Sequence, residues 1–193
     1  MVYRSVSILA MLFVLWPSAV MAQHTGRRGS STGASGGTAS PEGADVETFK
    51  RAIAVQATAE QVTQFRAMAK STETARQQAR DLGRQTEDSG DSVQLTHKAT
   101  SLQNSVDQVE NDYQAFRRSL SDAQEAGLKE FTKKLNKAHA AVTKAAKVMS
   151  QQLDQVPVNA AKLPGAGESL EKALAAFQAD QVKLGNEMGI PQQ

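Results

Sequence analysis

One stretch of the chain limits the available folds more than any other: its apolar residues recur at alternating steps of four and three. These residues are Leu95, Ala99, Leu102, Val106, Val109, Tyr113, Phe116 and Leu120. A sustained seven-residue repeat puts its apolar members on one narrow face of an α-helix, and such faces pack against each other along their length. We therefore expect a helix of about 40 Å, at 1.5 Å per residue, that pairs with another helix of this chain or of a second copy.

The rest of the chain after residue 43 is also helical in character. No Pro lies between Pro41 and Pro157, and apolar residues recur at helical spacing in two further stripes. The first stripe is Val62, Phe65, Ala69, Thr72, Ala75, Ala79 and Leu82, and the last is Leu170, Leu174, Phe177, Leu184 and Met188. These patterns predict an all-α fold, an elongated antiparallel helical hairpin or bundle of about four long helices. A short N-terminal helix, marked by Val46, Phe49 and Ile53, is expected in front of it.

The heptad pattern changes phase between residues 120 and 128. After the slip the apolar positions are Leu128, Phe131, Leu135, Ala138, Val142, Ala145 and Met149. A skip in a continuous helix or a real break would each produce such a slip. Ser121 followed by Gln124 is a capping-box signature of a helix start, and it favours a break or sharp bend near Ser121.

The first 22 residues read as a cleavable secretory signal. Arg4 precedes an apolar run from Ile8 to Trp16, and small residues lead to Ala22. The run is shorter than the roughly 20 residues that span a bilayer. We therefore expect an exported protein, periplasmic or extracellular.

Composition divides the remainder into three segments. Residues 23–43 are rich in Gly, Ser and Thr and predict a flexible linker. Residues 44–156 hold the predicted helical hairpin or bundle, and residues 157–193 a connection broken by Pro and Gly plus a C-terminal amphipathic helix. The chain has no Cys, which excludes disulfides, thiolate metal sites and Cys nucleophiles.

No motif in the sequence predicts catalysis, a cofactor or a metal site. Residues 33–37 match the G-x-S-x-G pattern of a nucleophile elbow, but they lie in the linker without the strand that an elbow requires. His97 and His139 have no second His three or four residues away and are expected on polar helix faces. The charge is nearly balanced, with 22 Lys and Arg against 20 Asp and Glu, and does not favour nucleic acid as a partner. We expect a protein that is not an enzyme.

The helix after the phase slip is rich in Lys on the side opposite its apolar stripe. A basic amphipathic helix can contact anionic membrane surfaces or acidic partners. A solvated face is the simpler interpretation, and contact with a membrane surface through this helix stays a hypothesis.

Two segments of the chain echo each other. Thr58 and Gln61 in the first correspond to Ser121 and Gln124 in the second, and each set forms a capping box in which the hydroxyl accepts from the backbone three residues on and the Gln reaches back. The apolar and basic residues that accompany the two boxes are Val62, Phe65, Arg66 and Lys70 in the first copy, and Leu128, Lys129 and Lys133 in the second.

These two segments resemble the LTxxQ motifs of the Spy/CpxP family of periplasmic helical proteins, at the level of pattern and over roughly residues 45–151. Ala57 stands where the family has Leu, and Ser121 where it has Thr. The resemblance implies a helical-hairpin dimer with a concave face that shields unfolded or stress-damaged proteins in the cell envelope without ATP.

Two functions follow as expectations. The first is an exported, non-enzymatic binding protein similar to an ATP-independent periplasmic chaperone, in which the residues accompanying the capping boxes contact an unfolded client. The alternative is a structural coiled-coil partner in an envelope or surface assembly, which binds another helix through the heptad seam of residues 95–120. The partner is a protein in both cases.

Overall fold

The structure, a computed structural model, describes residues 54–85 and 91–191, and all regular structure in these ranges is helical. The helices are α1 (Ala59–Gly83), α2 (Ser92–Ser119), α3 (Asp122–Gly127), α4 (Lys129–Leu153), a 3₁₀ turn (Ala160–Lys162) and α5 (Leu163–Glu187). The prediction of an all-α fold with four long helices is confirmed. The predicted signal peptide, linker and short N-terminal helix lie outside the described residues.

Helix α1 buries a complete heptad series. Its buried residues are Gln61, Phe65, Met68, Thr72, Ala75, Ala79 and Leu82. The sequence-based stripe had Val62 and Ala69 in place of Gln61 and Met68, but Val62 and Ala69 are only half-buried. The stripe was misplaced there because Gln61, a polar residue, occupies a core position and is buried through hydrogen bonds.

Helix α2 confirms the heptad seam that the sequence indicates. Asp91 caps its N-terminus by accepting from the backbone N–H of Val93 at 3.0 Å. The seam residues from Leu95 to Phe116 are all buried, whereas Leu120 is half-buried. The helix ends at Ser119 because Leu120 turns to extended backbone, with ψ of 132°.

The phase slip is a real break. Leu120 and Ser121 are both extended, the six-residue α3 follows, and Leu128 (φ −100°, ψ 10°) separates α3 from α4. Leu128 is fully buried, so the apolar series restarts at the junction itself. In α4 the buried residues include Thr132 and Ala146, where the sequence pattern gave the half-buried Phe131 and Ala145.

Helix α5 begins earlier than the apolar pattern suggests. Pro164 lies in its first turn, where a residue without an N–H loses no helical hydrogen bond. At the other end Gly189 adopts φ of 69°, and the N–H of Ile190 donates to the carbonyl of Gly185 at 2.8 Å. This is a Schellman ending, which needs a left-handed residue after the helix. The N–H of Ala57 donates to the carbonyl of Met188 at 3.0 Å and ties this ending to the start of α1.

The four long helices form an up-down-up-down bundle. Helix α1 packs along α2 on one side and α5 on the other, and α5 also packs along α4. Helices α2 and α4 approach each other in fewer places, and α1 does not contact α4. The C-terminal helix, expected within a separate segment of residues 157–193, is thus packed between α1 and α4 as part of the same helical core.

Small residues let α1 and α5 approach closely. A Cβ on Gly167 would lie 3.1 Å from the Ala79 carbonyl oxygen and 3.1 Å from the Gly83 nitrogen. About four turns further along α5, Gln181 donates to the hydroxyl of Thr72 at 3.1 Å, and both side chains are buried.

Candidate functional site

The two capping boxes predicted from the sequence are both present. Thr58 Oγ1 accepts from the N–H of Gln61 at 3.2 Å, and Gln61 Oε1 accepts from the N–H of Thr58 at 2.9 Å. Ser121 and Gln124 repeat this reciprocal pair at 3.3 and 3.0 Å. Each box therefore satisfies free N–H groups at the start of α1 or α3.

The structure joins the two boxes through their glutamines. Gln61 Nε2 donates to Gln124 Oε1 at 2.8 Å, and Gln124 Nε2 donates to Gln61 Oε1 at 3.0 Å. The second hydrogen of each amide donates to a backbone carbonyl two residues before the opposite cap, from Gln61 to Ser119 at 2.7 Å and from Gln124 to Gln56 at 3.0 Å. The two copies of the motif thus use equivalent partners, with a local two-fold relationship.

The paired glutamines are buried but leave no hydrogen-bonding group unused. Gln61 is 3% exposed and Gln124 is 5% exposed. Each amide uses both of its hydrogens, and each amide oxygen accepts from its own cap N–H and from the partner amide. A buried amide is tolerated when its donors and acceptors are all satisfied. The motif pair therefore fastens the start of α1 to the break between α2 and α3.

Two of the expected client-contact residues belong to the core. Phe65 is 4% exposed and packs edge to face on Phe116, with ring centroids 5.5 Å apart, and Leu128 has no exposed surface. In the folded bundle both side chains are therefore covered by other helices of the chain, and their contact with a client stays a prediction. Helical periodicity shows which residues share a face but not that the face is covered by a neighbouring helix of the same chain.

The remaining candidates fall on two separate helices. Arg66 and Lys70 are exposed on α1, with Val62 half-buried beside them, whereas Lys129 and Lys133 are exposed on α4. Because α1 and α4 do not contact each other, the structure does not bring the two sets together into one site.

Two grooves flank the exposed face of α1. The groove between α1 and α5 has a volume of about 240 Å³ and includes Phe65, Arg66, Lys70, Gln181 and Ile190 in its lining. The groove between α1 and α2 has a volume of about 320 Å³ and is lined mainly by small and polar side chains. Lys70 lines both and stands between them. We call the exposed face of α1 with these two grooves the α1 surface.

His139, which was expected on a polar helix face, belongs to a cluster that no sequence pattern indicates. The His139 ring stacks on Tyr113 with centroids 3.9 Å apart, its side chain is only 13% exposed, and its Nε2 lies 2.7 Å from Glu110 Oε2. Burial raises the pKa of Tyr113, against the opposing effect of the Arg117 charge. Glu110 and His139 are far apart in sequence, so that only the packing of α2 on α4 reveals the pair.

An ion-pair cluster links α1 and α5 beside the close helix contact. Glu171 Oε1 lies 3.1 Å from Arg76 Nε and 3.3 Å from Arg80 Nη2. Desolvation opposes ionisation of this carboxyl, but the hydrogen bonds and charges of the two arginines outweigh it and lower the pKa of Glu171.

Other kinds of site are not seen in the described ranges. No three His, Asp or Glu side chains there are grouped so as to hold a metal ion. None of the described helices combines the length and hydropathy needed to cross a membrane.

No protein-family model, no curated protein and no solved structure matches this chain.

Proposed function

We propose that this chain is an exported helical protein that binds unfolded polypeptides without ATP, in the manner that its resemblance to the Spy/CpxP family implies. The α1 surface is the binding surface in this proposal. The observation that supports it is the pair of grooves along one exposed helix, with Arg66 and Lys70 between and beside them.

The groove between α1 and α5 offers an extended polypeptide both apolar and polar contacts. Ala69, Val182 and Ile190 contribute apolar surface, and Val182 is 40% exposed. An apolar side chain of a client would bury area there, which favours binding by roughly 25 cal/mol per Å².

A buried acceptor lines the same groove. Gln181 Nε2 donates to Thr72 Oγ1, and Thr72 donates onward to the carbonyl of Met68 at 2.7 Å. If the Gln181 amide were turned over, its oxygen would face the Thr72 hydroxyl, whose hydrogen is already donated to Met68. The orientation with Nε2 towards Thr72 is therefore the favourable one. Gln181 Oε1 is then left without a hydrogen-bond donor. Because this oxygen has almost no accessible surface, the backbone N–H of a bound polypeptide would reach it only after the walls of the groove move apart.

The two cations give the surface attraction at longer range. Arg66 and Lys70 form no ion pair within residues 54–85 and 91–191, and both side chains are exposed. Such charges raise the rate of encounter with acidic segments, and salt weakens the effect.

The alternative of a coiled-coil partner receives no comparable support. The seam residues of α2 from Leu95 to Phe116 are already buried against other helices of the same chain. A second helix could reach this seam only if the bundle opened.

The proposal is tested by the aggregation of a chemically unfolded client protein, followed by light scattering without ATP. We expect the wild-type protein to suppress aggregation at stoichiometric amounts. Replacement of both cations, Arg66→Glu with Lys70→Glu, should weaken suppression. The matched control is Lys98→Glu with Lys172→Glu, two exposed residues that line neither groove.

Two results would count against the proposal. A wild-type protein that leaves aggregation unchanged removes it, and equal activity of the two double variants removes the α1 surface as the binding site. The mass of the protein in solution, measured with and without client, distinguishes a monomer, a homodimer and a client complex in the same preparation.

A further inference from the structure

Helix α4 carries a row of lysines along its outer side. The row consists of Lys129, Lys133, Lys137, Lys144 and Lys147, and we call it the basic stripe. At 100° per residue the five positions fall within an arc of about 80°, and they extend over about 27 Å of helix axis. All five residues are exposed.

The positive charge is concentrated on this one helix. Helix α4 contains six Lys and a single acidic residue, Glu130, whereas acidic and basic residues are mixed on α1, α2 and α5. No lysine of the basic stripe forms an ion pair within the described ranges, although Arg76 and Arg80 of α1 share Glu171 and Lys183 of α5 pairs with Asp180.

The packing of α4 holds the basic stripe outward. The opposite side of the helix is in the core, where Leu135 and Met149 have no exposed surface and Val142 is 2% exposed. Rotation of α4 would therefore expose apolar side chains. The small residue Ala140 lies between the lysines, and Val148, which is 44% exposed, lies beside them. No bulky side chain therefore separates the charges from a flat surface.

We propose that the basic stripe docks this protein onto an anionic lipid bilayer. A bilayer presents negative headgroups along the whole length of the stripe without requiring a shape that fits it. Clusters of lysine near an anionic surface gain attraction roughly in proportion to their number. The apolar side of α4 is used in the core, so binding is peripheral and electrostatic, without insertion of the helix.

The chemistry of the basic stripe favours a bilayer over the other polyanions. Its arc contains no Arg or aromatic residue, the side chains on which the bases of a single-stranded nucleic acid stack. An acidic protein would have to match a straight row of flexible point charges with a rigid acidic surface. The inference does not rest on client binding, which the proposed function assigns to α1.

The experiment is co-sedimentation of the purified protein with lipid vesicles. The N-terminus of the purified protein is first determined by mass spectrometry. One set contains phosphatidylcholine alone and the other phosphatidylcholine with phosphatidylglycerol. We expect binding to the anionic vesicles only, and release when the salt concentration is raised from about 0.05 M to about 0.5 M, since the Debye length falls several-fold. Each lysine should contribute about fivefold in affinity.

Two triple variants with the same net charge decide whether the basic stripe is responsible. Lys133→Gln, Lys137→Gln and Lys144→Gln remove its centre and should weaken binding about a hundredfold. The control carries Lys98→Gln, Lys162→Gln and Lys172→Gln, which are exposed lysines of other segments, and should bind within a few-fold of wild type. Far-ultraviolet circular dichroism checks that both variants keep their helix content.

Three results would overturn the inference. They are no binding to anionic vesicles at low salt, equal weakening in the two triple variants, and binding of duplex DNA or poly-glutamate through the same lysines as tightly as the anionic vesicles. Suppression of client aggregation, measured on the same variants, reports separately on the proposed function and should be unaffected by loss of the stripe.

Discussion

The joined capping boxes make a quantitative prediction about stability. Gln61→Ala removes four hydrogen bonds: one to the N–H of Thr58, one to the carbonyl of Ser119 and two to Gln124. At a net value of about 1 kcal/mol each, and with water able to reach the exposed Thr58, we expect a loss of about 3 kcal/mol. Gln124→Ala also removes its two bonds to Gln61 and those to Ser121 and Gln56, and should cost about the same.

The double variant distinguishes a joined pair from two independent caps. The two bonds between the glutamines are lost in either single variant, so the double variant should lose about 5 kcal/mol, less than the sum of the single losses by about 1–2 kcal/mol. Urea unfolding followed by circular dichroism measures all four members of the cycle.

A matched pair of glutamines serves as the control for this cycle. Gln77 lies on α1 and Gln114 on α2, and each bonds only to an acid four residues away, Asp81 or Glu110. Their Ala variants should each change stability by less than about 0.5 kcal/mol and should be additive. Additivity within about 0.5 kcal/mol in the Gln61 and Gln124 cycle would refute the reasoning, because contacting residues with shared hydrogen bonds cannot behave independently.

The contact between α1 and α5 gives two further predictions. Gly167→Ala should lower the free energy of unfolding by about 1–3 kcal/mol, because the new methyl group would overpack against Ala79. At Gly165 an added Cβ meets nothing within 4 Å, so Gly165→Ala should stabilise the fold by about 0.5–1 kcal/mol through helix propensity. Thermal unfolding of the two variants checks this, and equal melting temperatures would contradict it. The pKa of Glu171 is lower in the folded state than its unfolded value, which is near 4.3. The ion pairs of Glu171 therefore stabilise the fold above that pH, and this stabilisation is lost as the pH falls through the folded pKa. Glu171→Gln should therefore lower stability by up to about 1 kcal/mol at pH 7 and leave it unchanged well below both pKa values, in urea titrations at the two pH values.

The sequence was sufficient for the elements whose formation is local. The heptad spacing from Leu95 to Phe116 predicted α2 and its buried face because a sustained period leaves only one side of a helix apolar. The hydroxyl and amide of each capping box lie three residues apart, so both helix starts were also found correctly. The start of α5 was predicted too late, because Pro164 was expected to interrupt the helix, whereas Pro is tolerated in a first turn.

What could not be predicted depends on contacts between distant residues. Nothing in the two capping boxes states that Gln61 and Gln124 bond to each other, 63 positions apart. One signal was available: Gln61 lies in phase with Phe65 and Met68 at heptad spacing, and a polar residue in a seam needs a buried partner. The complete burial of Leu128 and the packing of Phe65 on Phe116 could not be predicted either, because periodicity does not show which helix covers a face.

The polar residues in the seams explain why these helices pack in one register. An apolar seam that repeats every seven residues is compatible with a shift of one heptad, since Leu or Ala then meets another Leu or Ala. In α5 such a shift would place Gln181 near Phe65 or Ala79 in place of Thr72, and its amide would lose its only hydrogen-bond acceptor in the core. The Gln61 and Gln124 pair acts in the same way at the break after α2, where a shift would separate both amides from all of their partners. A buried polar residue that selects one register at some cost in stability is known from coiled coils. Two such contacts, one on each side of α1, would keep the α1 surface and its grooves in a single arrangement.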